Sequence, residues 1–190
     1  MIVTVAGHAG AANHALFAYM LAQLRARAGR KVLLLDADPG HAQHPAAASG
    51  VPIRVLAGRR LQDEIDEVAP RYQDLMIDID LATARESRSA LIAAGLLIVP
   101  LEPGHADVDA DYGLVARINS ARMFNPGLRV VFVVLDAGSG TSSPEQMAAL
   151  RKLVAHVMAA RLAATVIHAP GVNPPSAQEM ASLYREVFAA

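Results

Sequence analysis

Residues 1–39 read MIVTVAGHAGAANHALFAYMLAQLRARAGRKVLLLDADP, and this stretch decides the fold. Ile2 to Ala6 is a short apolar run, Gly7 to Ala15 is Gly-bearing and polar, and Asn13 to Ala28 carries a helical pattern. Gly29 is placed to stop that helix. Lys31 to Leu35 is a second apolar run, leaving on Asp36-Ala37-Asp38-Pro39. Near-continuous apolarity is what a strand buried on both faces requires. A strand, a helix and a second strand at this spacing imply a right-handed crossover in a parallel sheet.

The pattern continues outward. Leu75 to Ile79, Leu96 to Val99, Arg129 to Leu135 and Thr165 to Ile167 read as further strands. Ser87 to Ala94, Asp107 to Met123, Ser143 to Ala160 and Ser176 to Phe188 read as helices. Ser143-Pro144-Glu145-Gln146 and Ser176-Ala177-Gln178-Glu179 both have the form of a capping box. Tyr184 and Phe188, four apart, are expected to face the sheet, and the Met and Leu pattern after Ser143 reads as core. Pro39 to Pro52 is the longest loop candidate, and a long loop after a buried strand is more often functional than decorative. The fold expected is α/β in three layers, with a mainly parallel sheet of about six to eight strands and helices on both faces. Residues 1–190 read as a single domain, with no linker, repeat or low-complexity tract.

Composition excludes several function classes. No Cys is present, so disulfides, thiolate metal sites and cysteine nucleophiles are excluded. With 53% hydrophobic and 18% charged residues the chain is not of the disordered type. A net charge of −1 gives no overall pull toward nucleic acid or anionic lipid. No apolar run has the ~18 residues of a membrane span, and Met1 opens into a strand-like segment, so a cytoplasmic location is expected.

In such a sheet, ligands bind outside the carboxyl ends of the strands. The segment from Gly7 to Ala15 lies where a phosphate loop would lie. A working phosphate loop needs wrapped backbone amides, a Lys for the phosphates and a hydroxyl for magnesium. Lys is absent from residues 1–30.

Taken in order, these pieces resemble the ParA/MinD family of deviant-Walker partition and positioning ATPases, most closely the short plasmid-partition members. The segment from Gly29 to Pro39 looks like that family's second strand and first switch, and Asp36-Ala37-Asp38-Pro39 is the most specific part. Tyr72 to Asp78 resembles its Walker B strand, and Ser89 to Pro103 resembles the helix and strand that follow, with a Pro-x-x-Pro exit. The resemblance covers about four fifths of the chain. It implies a P-loop-NTPase-like sandwich, Mg-ATP or Mg-ADP as ligand, and a nucleotide site at Gly10, Asn13, His14, Ala15, Asp36, Asp38 and Asp78. In active members Asp38 and Asp78 would orient the attacking water and the magnesium ion. The plainer alternative is that both cap turns at strand ends.

The departures fall on the loop, whose family pattern is K-G-G-x-G-K-[ST]. Ala9 stands at the signature Lys, His14 at the phosphate-binding Lys and Ala15 at the magnesium hydroxyl. Only Gly10 remains of the loop glycines, Ala11 and Asn13 replacing the others. Each lost charge-assisted phosphate contact costs roughly 1.5–3 kcal/mol, and hydrolysis depends on positioning even more than binding does. The segment after His168 is also shorter than the family's. The expectation is a degenerate centre, a pseudo-ATPase that binds Mg-ATP or Mg-ADP weakly or not at all. It would act as a non-catalytic binding or positioning module in plasmid or chromosome partition, or in placing a cellular machine, through a protein partner or a homodimer. The alternative is a divergent nucleotide-switched partition ATPase that retains Asp38 and Asp78.

A third reading rests on histidine. His8, His14, His41, His44 and His105 fall in segments that would surround the site, near Asp36, Asp38, Asp78 and Asp80. His with carboxylate binds divalent metals, and His41-x-x-His44 would set two ligands close together. Polar loops at a sheet edge also collect His without purpose, so no specific metal site is expected. A phosphate or sulfate held through His14 at low pH is a comparable alternative. DNA binding is expected to be at most weak and non-specific, because from Asp111 onward seven basic residues face five acidic ones. Arg151, Lys152 and Arg161 could share a basic helix face toward DNA, which a solvated helix face explains equally well, and Arg25, Arg27 and Arg30 read as favourable charges at a helix end.

Overall fold

Buried apolar runs alternate with helices along the whole chain, and they assemble as one twisted sheet with helices on both sides. The computed structural model describes residues 1–7, 14–37, 50–56, 60–81, 84–102, 111–136, 143–168 and 174–188. These form, in order, β1 (Ile2–Gly7), α1 (His14–Arg27), β2 (Val32–Asp36), β3 (Ile53–Val55), α2 (Leu61–Val68), β4 (Asp74–Asp80), α3 (Ala84–Ala93) and β5 (Leu96–Leu101). Then follow α4 (Tyr112–Phe124), β6 (Arg129–Asp136), α5 (Pro144–Ala155), β7 (Ala160–Leu162), β8 (Ile167–His168) and α6 (Ala177–Phe188). The strand order is β3-β2-β4-β1-β5-β6-β7 with β8 also on β6, and each of these pairings is parallel.

Strand periodicity divides the core. Leu33, Leu35, Ile77, Leu97, Val99 and Phe132 point to one face, where Leu61, Leu91, Ile118 and Leu153 of α2 to α5 cover them. Val3, Val5, Leu34, Met76, Ile98 and Val133 point to the other, under Phe17 and Leu21 of α1 and Leu183 and Val187 of α6. The result is the expected three-layer α/β sandwich, with eight strands among the described residues.

Local signals explain the ends. Gly29 has φ +81°, and the Gly29 and Arg30 amides donate to Ala26 and Arg25 carbonyls, a Schellman stop for α1. Ser143 and Gln146 form the full capping box at α5. The second box is half made. Ser176 Oγ accepts from the Glu179 amide, but the Glu179 carboxylate takes the His168 amide and ring Nδ1 at 3.0 and 2.7 Å instead of closing the box.

Other readings are corrected. Three short elements fall outside the sequence reading: β3 and β7, too short to show a period, and α2, whose Leu61, Ile65 and Val68 do follow a helical period. Helix α5 ends at Ala155, after which the chain turns and forms β7, so Arg161 lies on a strand, paired with Glu186 at 2.7 Å, and shares no helix face with Arg151 and Lys152. The sheet-facing residues of α6 are Met180, Leu183 and Val187. Phe188 packs against the same core face while half-buried, and Tyr184 stacks on it at 5.0 Å outside that cluster, with the Arg25 guanidinium 4.7 Å from the Phe188 ring centroid. Arg25 and Arg30 do more than favour a helix end: both bind the buried Asp74 carboxylate, at 2.7 and 3.0 Å. Burial pushes the Asp74 carboxyl up, but the Arg30 hydrogen bond and the Arg25 charge outweigh it and hold it below its ordinary value.

Candidate functional site at the carboxyl ends of the strands

The central strands β1, β2 and β4 end side by side. Their register places Asp36 beside Asp78, and Gly7 beside Asp80. Alternation along β2 and β4 turns Asp36 and Asp78 toward the α1 side of the sheet, since Leu35 and Ile77 point to the other. Both carboxylates are buried, Asp78 at 0% exposure and Asp36 at 2%.

Helix α1 begins at His14, also buried, and its imidazole points back across the end of β1 to β4. His14 Nδ1 lies 2.7 Å from Asp78 Oδ1. With Asp78 ionised, Nδ1 carries the hydrogen and donates it, which fixes the tautomer. The side chain that opens α1 is thereby turned onto the buried acid of β4. Ala15, the next residue, is buried and has no hydroxyl.

Gly7 is the site residue that sequence reasoning passed over. A Cβ on Gly7 would stand 2.4 Å from His14 Cδ2 and 2.7 Å from Cγ and Nε2. The last residue of β1 is therefore glycine because the imidazole occupies the space a side chain would need. The Gly7 carbonyl accepts the Leu81 amide at 3.0 Å, and the Asp78 carbonyl accepts the Ala37 amide at 2.9 Å, so the three strand ends are tied together. The signal was available in the pairing of Gly at a strand end with a bulky residue at the start of the following helix.

The structure therefore brings together His14, Ala15, Asp36 and Asp78. Gly10, Asn13 and Asp38 lie outside the described residues, as do His8, His41, His44 and His105. Among the described residues no group of three or more His, Asp or Glu is arranged to hold a metal ion. His14 and Ala15 do not fit a magnesium nucleotide in the way the P-loop pattern requires: His14 Nδ1 is hydrogen-bonded to Asp78, and Ala15 offers a metal no side-chain oxygen.

An open parallel sheet between two helical layers, with its polar site at the carboxyl ends of the central strands, defines a three-layer α/β protein of P-loop-NTPase-like architecture. Within that class the fold is ParA/MinD-like, as its structural neighbours show. Cobyrinic acid a,c-diamide synthase from Mycobacterium smegmatis, with bound ADP and magnesium, aligns at a TM-score of 0.67 and 19% identity over 97% of this chain and 91% of that one. A plasmid partition protein from Borrelia burgdorferi aligns at 0.65 and 13% over 97% and 96%. Apo McdA from Cyanthece aligns at 0.64 and 16% over 98% and 91%. Identities this low establish the shared fold alone. No family model and no curated protein sequence matches the chain.

Proposed function

We propose that this chain is a ParA-like scaffold whose nucleotide centre has become structural, and that it works as a non-catalytic binding or positioning module in a partition system. The observation that carries this reading is the His14–Asp78 hydrogen bond at 2.7 Å. Phosphoryl transfer on this fold depends on a cation at the phosphates and a carboxylate free for magnesium. Here one side chain replaces the first and engages the second. The partition setting is supported by the plasmid partition protein and McdA among the fold neighbours. The chain would then act through a protein partner or a second copy of itself, with DNA contact weak and non-specific.

A second reading, a nucleotide-switched partition ATPase, is favoured by one observation. Asp36 and Asp78 remain adjacent and buried at the strand ends, and fold neighbours were crystallised with ADP or an ATP analogue and magnesium. Thermal melting with and without magnesium ATP separates the two. A ligand at 100 times its dissociation constant adds about 2.7 kcal/mol, or roughly 7 °C in a chain of this size. The module reading expects no shift at millimolar nucleotide, and a shift of several degrees would replace it with the switch. The same melt with zinc and with EDTA tests the metal reading, for which no shift is expected.

A further inference from the structure

Helix α4 carries apolar residues on two sides. Leu114, Val115, Ile118 and Ala121 pack into the core, as a helix on this sheet must. Tyr112 at its start and Met123 and Phe124 at its end face outward, with the small residues Ala116 and Ser120 exposed between them. Tyr112 is 72% exposed, Met123 76% and Phe124 62%. They are half of the six exposed large hydrophobics found among the described residues. A single exposed apolar residue needs no explanation, but Met123 and Phe124 side by side on one helix end, beside a groove, mark a candidate interaction surface.

Phe124 and Ser120 border a groove of about 380 Å³ between α3 and α4, where Phe124 is the exposed apolar wall and Leu91 and Ala121 are buried at its base. Arg88 and Arg117 also line it. The Arg88 guanidinium lies 5.1 Å from the centroid of the Phe124 ring. Arg117 Nη1 donates to the Leu81 carbonyl and to Ser87 Oγ at 3.1 Å, and these two neutral oxygens hold it in place. The Glu86 carboxylate, on α3, accepts from the Leu61 amide of α2. Asn125 Nδ2 donates to the Ala94 and Leu91 carbonyls at 2.7 and 3.2 Å, pinning the end of α4 to α3. The groove is preformed by these cross-links, which lowers the ordering cost of anything that binds there.

We propose that the α3–α4 groove docks an acidic amphipathic helix of a partner protein, its apolar stripe on the exposed Phe124 ring and its carboxylates on Arg88 and Arg117. The charge selects the occupant. A second copy meeting this one through a two-fold axis would bring the same two arginines together. Duplex DNA would leave Met123 and Phe124 without a partner, and two cations are few for a phosphate-tracking surface. An acidic helix satisfies both halves of the groove, in the helix-in-groove manner of recognition. This inference rests on the reading of the chain as a module that works through a protein partner, and it gives that reading a surface.

The test uses the whole chain as bait for a displayed library of 16-residue amphipathic helices with randomised apolar and flanking charged positions. Enrichment of acidic sequences is expected. Their affinity, measured with synthetic peptides, should fall roughly 30-fold in Phe124→Ser and about 10-fold in Arg88→Glu. Both substituted side chains are exposed, and unchanged melting temperatures will show that the variants fold. Enriched peptides that are basic, or that bind both variants as well as wild type, would overturn the proposal, as would no enrichment over the Phe124→Ser bait. Three controls name other occupants: sedimentation for self-association, phosphatidylglycerol vesicles and a 30-base-pair duplex. Phe124-dependent binding in any of them would replace the acidic helix with that occupant. Nucleotide titration is independent of all these readouts. A chain that binds no nucleotide and no acidic helix keeps the module reading and loses only this surface. A chain that binds magnesium ATP loses the module reading whatever the peptides do.

Discussion

Replacing His14 by alanine removes a buried donor from a buried carboxylate. The imidazole is 10% exposed and the Asp78 side chain 0%, with 2.7 Å between Nδ1 and Oδ1. A hydrogen bond to a charged group contributes about 1.5–3 kcal/mol net in this setting. For 190 residues the unfolding entropy near the midpoint is about 0.4 kcal/mol/K, so His14→Ala is expected to lower the melting temperature by about 4–8 °C. Asp78→Asn keeps the shape and removes the charge, and the pair completes a double-mutant cycle with His14→Ala. The assay is denaturant unfolding of all four proteins, with an expected coupling of at least about 1 kcal/mol. Residues held strained for a ligand behave in the opposite way, since their removal commonly stabilises the protein. A His14→Ala chain that melts at or above the wild-type temperature, or a coupling within about 0.3 kcal/mol of zero, would refute a structural role for the pair.

Gly7→Ala should cost about 1–3 kcal/mol, because its Cβ would meet the His14 ring at 2.4 Å, and His14→Ala in the same chain should recover most of that loss in a urea titration. Asp74, whose carboxyl is held below its ordinary value, contributes stability that is full above about pH 4 and is lost as pH falls through the depressed value. Asp74→Asn should therefore destabilise by about 2 kcal/mol at pH 7, and its unfolding free energy should fall less steeply below pH 4 than that of wild type. Glu186 accepts from the Ala164 and Thr165 amides, the Thr165 hydroxyl and Arg161. Glu186→Ala should cost about 1–2 kcal/mol and raise amide exchange selectively at residues 160–168.

The sandwich was legible because its strands are long apolar runs set apart by helices with strong boundary residues, Gly29 and Ser143 above all. Strands β3 and β7 have three residues each, too few for any period to show, whereas the eight residues of α2 carry a helical period in Leu61, Ile65 and Val68 that could have been read. Of the residues expected at the site, the structure places His14, Ala15, Asp36 and Asp78 together at the strand ends, whose position follows from the strand and helix order. The direction of the His14 ring was not legible, because Asp78 is 64 positions away and only the β1–β4 register brings the two together. Glu179 had the right spacing for a capping box, yet a more distant partner, His168, took its carboxylate. The outward apolar residues of α4 were hidden because they read equally well as core when the helix's orientation on the sheet is unknown.

The central claim is that His14, bound to Asp78, has taken the nucleotide centre out of service. Calorimetric titration of magnesium ATP and magnesium ADP into metal-stripped protein near neutral pH tests it most directly. The account predicts no binding heat at millimolar nucleotide. Saturable binding in the micromolar range would contradict it, because phosphate would then be held where the imidazole now stands.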